Sequence, residues 1–131
     1  MGWLLFFNTR NAMKHLLSTN IRGHYAYIDT AKVVFLQQVK NHCTVHLSNK
    51  KKYTFYRSMK SMAPLFPDLV RVNVSLFINP EYLLEIQNKE GRLVWLTFEG
   101  WPAVPASRGE SYSSFFARLS SNTGGGEGEE V

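Results

Sequence analysis

Thr44-Val45-His46-Leu47-Ser48-Asn49-Lys50-Lys51-Lys52-Tyr53-Thr54-Phe55-Tyr56 sets the fold class of this chain. Residues 44–47 alternate polar and apolar side chains, turn-forming residues occupy 48–50, and the alternation resumes over 52–56. In an extended strand successive side chains face opposite sides, so a period of two on both flanks of a polar turn predicts a β-hairpin. Its tip is rich in lysine.

The same pattern spreads in both directions. Upstream, residues 32–37 are a β-branched and aromatic run, and residues 14–19 and 24–28 flank Asn20-Ile21-Arg22-Gly23 as another hairpin. Downstream, residues 69–74, 83–87 and 93–98 read as strands, with turns at residues 88–91 and at Glu99-Gly100 before residues 101–106. Two segments break the period. Met59, Met62, Ala63 and Phe66 lie on one helical face, and Pro64 predicts that this helix is short or kinked. Tyr112, Phe115, Phe116 and Leu119 repeat that spacing, and Ser107-Arg108-Gly109-Glu110 reads as a capping box starting a helix at Ser107. The expected fold is mostly β, built from short antiparallel sheets with one or two short helices.

Composition narrows the function. Of the 131 residues, 44% are hydrophobic and 14% aromatic, enough for a core without disulfide or metal staples. The single cysteine, Cys43, has no internal partner, and without a CxxC or Cys/His spacing no structural zinc site is expected. A reducing, cytoplasmic setting fits this usage. Trp3-Leu4-Leu5-Phe6-Phe7 is far shorter than the about 20 residues needed to span a membrane. No basic segment precedes it and no small-residue cleavage site follows. It reads as a strand or linker docking on the body, the alternative being a trimmed piece of a longer membrane or sensor protein. The formal charge of +5 is uneven, because the tail 123–131 holds three of the ten acidic residues and no basic ones. Residues 1–122 therefore carry 15 basic against 7 acidic side chains, a balance of +8 that suits a polyanionic partner. The acidic, glycine-rich run 124–130 is expected to be disordered. The chain divides into an N-terminal segment 1–13, a domain 14–121 and a tail 122–131.

Several stretches resemble one known family. Residues 28–36 followed by Asn41-His42-Cys43-Thr44-Val45-His46-Leu47 are similar to the opening of LytTR domains, where an "NYVTIHL"-like strand follows an acidic-aliphatic motif. Residues 52–60 resemble the family's "KYLVRRSLK". Residues 69–79, Leu-Val-Arg-Val-Asn-Val-Ser-Leu-Phe-Ile-Asn, resemble "FVRVHRSYIVN", and residues 104–108 resemble its "PVSR" end. The likeness spans residues 14 to 119 in order and spacing.

This resemblance implies a bacterial transcriptional regulator that places loops and strand ends in successive major grooves, on direct repeats, with DNA bending. Such domains follow a phosphoacceptor receiver, and here only about a dozen residues precede the first strand, so a stand-alone regulator or a piece of a larger one is expected. Double-stranded DNA is the implied partner, with a second copy of the chain on a tandem repeat, and neither a cofactor, a metal nor a small-molecule substrate is implied. By the same likeness Lys40, Asn41 and His42, then Asn73-Val74-Ser75, then Arg108 would carry the contacts. Asn41, His42, Asn73 and Arg108 would read bases. Lys40, Lys50, Lys51, Lys52, Arg57, Lys60 and Ser75 would hold the backbone.

Physical chemistry gives each a rationale and a plainer alternative. Arg108 is the strongest candidate, since an arginine forks to guanine O6 and N7; its plainer reading is an exposed arginine covering the Phe115/Phe116 helix. Asn73 can pair with adenine, and lying within the alternating set Val70, Val72 and Val74 it is expected to face away from those valines. The plainer reading is an exposed residue making a turn bond. His42 rests mainly on the likeness. The lysine run would contact phosphates or simply solvate a turn. Two departures stand out: the family's His-Arg before the serine is Asn73-Val74, and Gly109-Glu110 replaces a basic stretch. They favour the rival reading, a protein-interaction module of the same fold. An enzyme is not expected. His15, His24, His42 and His46 show no triad or metal spacing, and His42 and Cys43, adjacent on a strand, point to opposite faces.

Overall fold

A computed structural model describes residues 13–106 and 112–122. The apolar run at residues 3–7, the capping box with Arg108, and the glycine-rich tail lie outside the described residues.

Strands β1 (Lys14–Ser18) and β2 (Tyr25–Asp29) form the first expected hairpin, with Leu16 opposite Tyr27. Strands β3 (Val33–Val39), β4 (His42–Leu47), β5 (Lys52–Phe55), β6 (Val70–Asn73) and β7 (Leu76–Ile78) build a five-stranded antiparallel sheet in the order β5-β4-β3-β7-β6. Strands β8 (Leu83–Lys89), β9 (Arg92–Phe98) and β10 (Val104–Pro105) form a third sheet in the order β10-β9-β8. Helix α1 (Met59–Met62) lies between β5 and β6, and α2 (Tyr112–Asn122) follows β10.

The central sheet is buried on both faces, and its middle strand shows why. Val33, Val34, Phe35 and Leu36 are all buried. Val33 and Leu36 join one apolar cluster with Ile28, Cys43, Val45, Phe55, Met62 and Phe66, drawn from β2, β4, β5 and the α1 region. Val34 and Phe35 join the other, with Val72, Ile78, Leu93, Leu96, Phe98 and Phe115. Two neighbours can share a side because the β3–β4 register shifts between Val33 and Phe35, as a β-bulge does. Burying one of the fully enclosed phenylalanines, Phe55, Phe98 or Phe115, contributes about 1.5–3 kcal/mol.

Local signals explain the connections. Ser58 caps α1, its hydroxyl oxygen accepting the Ser61 N–H at 3.2 Å. Pro64 then turns the chain into a 3-10 turn over Ala63–Leu65, the short, interrupted helix the proline predicts. Glu90 and Gly91, with φ of 54° and 81°, make a two-residue hairpin turn, so β8 and β9 run closer to the turn than the 88–91 reading implies. On α2, Phe115 is buried whereas Phe116 is 49% exposed, so the inward stripe is narrower than the spacing suggests. The Arg118 guanidinium donates to the carbonyl oxygens of Arg71 and Val72 at 2.8 and 3.1 Å, fastening α2 to β6.

Candidate nucleic-acid interface

Three chain segments meet at one end of the central sheet. Val39 pairs with His42 across the two-residue turn Lys40-Asn41, where Lys40 has φ 57°. On the β7 side, Gln37 pairs with Leu76, and the Gln38 N–H donates to the Ser75 carbonyl oxygen at 2.9 Å. On the β5 side, Cys43 pairs with Phe55, and the His42 ring lies against Tyr56 with centroids 4.5 Å apart. Two adjacent rows close this end of the sheet: Phe55, Cys43 and Gln38 lead to Ser75, and Tyr56 and His42 lead to Val39 one residue nearer the Lys40-Asn41 turn. Lys40, Asn41 and Lys60 are exposed, and His42, Arg57 and Ser75 are half-buried.

Gln38 connects these segments, and the sequence reading passed over it. Its side-chain oxygen accepts the Met59 N–H at 2.8 Å, and its side-chain nitrogen donates to the Lys40 carbonyl oxygen at 2.9 Å. With the main-chain bond to Ser75, one residue ties both turns to the start of α1. The available signal was a polar pair, Gln37-Gln38, closing an apolar strand. Tyr56, 62% exposed against His42, was likewise unmarked.

The β6–β7 turn differs from expectation. Asn73 is buried at 8% exposure, and Val74 is 72% exposed. The Val70/Val72/Val74 alternation breaks at the register shift between Arg71 and Asn73, so Val74 does not share the inward face of Val70 and Val72. Asn73 is thus no outward-facing strand residue. Its side-chain oxygen accepts the Ser75 N–H at 2.8 Å, an Asx turn. Its buried amide nitrogen finds no partner among the described residues.

Residue Lys50 and its neighbours sit elsewhere. The Lys50-Lys51 tip caps the far end of β4, where the Leu47 N–H donates to the Lys51 carbonyl oxygen and the Ser48 N–H to that of Lys32. Five residue steps of β4, roughly 17 Å at about 3.4 Å each, separate this tip from His42. Lys52, opposite His46, is closer to the tip than to the Lys40-Asn41 turn. The structure groups Lys40, Asn41, His42, Arg57, Lys60 and Ser75, and leaves Lys50, Lys51 and Lys52 apart from them. Arg108 lies outside the described residues.

The titratable groups inside the sheet are structural. Burial, with Arg57 partly opposing it, pushes the Cys43 thiol up to about 11, so it stays protonated and unreactive at neutral pH. His46 stacks on Phe35 at 3.9 Å and meets Trp101 edge-on at 5.0 Å. Burial, reinforced by the Lys52 charge, lowers it to about 4, so it packs as a neutral ring. Among the described residues no group of three or more His, Cys, Asp or Glu could hold a metal ion. No helix among them is long and apolar enough to cross a membrane.

Comparison with known proteins agrees with this architecture. The family model of the LytTr DNA-binding domain matches residues 23–119. The fold is similar to a solved structure, the LytTr DNA-binding domain of a Bacillus cereus protein described as a methyl-accepting/DNA response regulator. The TM-score is 0.64 at 16% identity, covering 86% of this chain and 99% of that one. No curated protein matches the sequence. Fold and family model together define a DNA-binding domain of the kind found in transcriptional regulators. The chain belongs to the LytTr DNA-binding domain family.

Proposed function

We propose that this chain is the output domain of a bacterial transcriptional regulator and reads promoter DNA through the Gln38 end of its central sheet. The observation that carries this reading is the convergence of the Lys40-Asn41 and Val74-Ser75 turns, each bonded to Gln38. Strand turns projecting from a rigid sheet are narrow enough to enter a major groove, about 12 Å wide. Asn41 offers the paired donor and acceptor that adenine presents, and His42, braced by Tyr56, sits beside it. Lys40, Arg57, Lys60 and Ser75 hold phosphates, positioning the domain without specifying sequence. Asn73 acts through the turn it holds. Arg108 is kept, on the family likeness, as a guanine reader.

Lys50, Lys51 and Lys52 belong to the far end of the sheet, so they contribute to long-range attraction and not to the groove contact. Two copies of the chain, side by side on a direct repeat, would read successive grooves. Catalysis has no part in this reading, and the cytoplasm, where bacterial DNA lies, is the compartment it implies.

Selecting bound fragments from random duplex DNA tests the proposal. The expected result is a recurring sequence, with affinity falling steeply as salt rises. Failure to retain any duplex at about 50 mM salt would favour the protein-interaction module, the reading that an exposed apolar Val74 suggests.

A further inference from the structure

We infer that Val74 reads the 5-methyl group of a thymine, making it a determinant of the sequence this domain selects. The inference rests on the DNA-reading role proposed above. A single exposed valine is ordinary on a protein surface. Three features set this one apart. Val74 is 72% exposed, the highest exposure of any large apolar side chain among the described residues. It is held firmly, because Asn73 closes an Asx turn onto the Ser75 N–H and Gln38 clamps the Ser75 carbonyl oxygen. A β-branched side chain also has few rotamers, so the isopropyl group presents a fixed apolar surface. Finally, it stands on the same sheet end as Lys40, Asn41 and His42, among groups that recognise polar edges and phosphates.

A valine can neither donate nor accept a hydrogen bond. On the major-groove edges of the four base pairs the apolar feature is the thymine methyl. The buried Asn73 cannot take Val74's place, since its oxygen is engaged by Ser75. The polar neighbours and Val74 would thus divide the reading, hydrogen bonds for the flanking bases and an apolar contact for one thymine.

The test uses the full chain and the duplex recovered by selection. Each thymine is replaced singly by deoxyuridine, which removes only the methyl group. At one thymine per half-site the wild-type chain should bind about four-fold more weakly, the size of losing one buried methyl group at about 0.8 kcal/mol. Val74→Ala should be insensitive to that replacement while retaining sensitivity to salt and the wild-type melting temperature. Val74→Thr, which keeps one methyl, should retain part of the effect. Binding with no methyl-sensitive thymine, or equal sensitivity in wild type and Val74→Ala, overturns this inference and leaves DNA reading intact. Loss of all duplex binding by the wild-type chain overturns both.

Discussion

The side-chain oxygen of Gln38 accepts the main-chain N–H of Met59 at 2.8 Å, joining residues 21 positions apart in sequence. That bond sets α1 against the sheet end from which Lys40 and Asn41 project. Truncation leaves the part-buried Met59 N–H and the Lys40 carbonyl without these partners.

Gln38→Ala should therefore cost about 1–3 kcal/mol of folding stability, the range for orphaning a partly buried polar group. Gln38→Glu keeps the acceptor for Met59 but turns a carboxylate oxygen toward the Lys40 carbonyl in place of the donor, and should destabilise as well. Denaturant titration reads both, and once both are fully folded DNA affinity should fall further in the glutamate variant, whose carboxylate stands among the groups proposed to hold phosphates.

The split between the two ends of the sheet predicts a split in salt dependence. Lys40→Ala and Lys60→Ala should each reduce the slope of log affinity against log salt by about 0.9. The double change of Lys50 and Lys51 to alanine should leave that slope nearly unchanged. Equal effects at both ends would place phosphates along the whole sheet.

Arg108→Ala should weaken binding to the selected duplex by about 1–3 kcal/mol while sparing unrelated sequences. Competition between specific and random duplex measures the difference. Uniform weakening would make Arg108 a phosphate clamp.

His46 predicts a pH effect on stability. In the unfolded chain it takes up a proton near pH 6.5, and in the folded chain only near pH 4. Between those values unfolding binds a proton, so stability falls as pH drops from 6.5 toward 4, by at most about 1.4 kcal/mol per unit, and is unaffected by this group above 6.5. His46→Phe, which keeps a ring against Phe35, should show a shallower loss over that window in thermal melts at stepped pH. An identical profile in the two proteins would mean that His46 is already solvated when folded.

The fold was readable because its strongest signals are local. Alternation over residues 44–47 and 52–56 predicted β4 and β5, and Pro64 predicted the broken helix α1. Strand β7 was missed: Leu76–Ile78 is three residues long and is held as a strand by its pairing with β3 and β6, which no local window contains. The turn at Asn73 misled for a related reason. A register shift against β7 breaks the alternation, and only the paired strand reveals it. The candidate site was legible at Lys40, Asn41 and His42, where a turn and a family motif coincide. The lysines of the β4–β5 tip looked equivalent to them in composition, yet strand direction places them at the opposite end.

Titrating isotopically labelled chain with the selected duplex, and following backbone amide shifts, tests the location of the DNA surface most directly. The largest changes should fall on residues 38–43, 56–60 and 73–76, with residues 48–52 nearly unmoved. Largest changes at the Lys50-Lys51 tip or on the β1–β2 hairpin, with the Gln38 end unaffected, would contradict it.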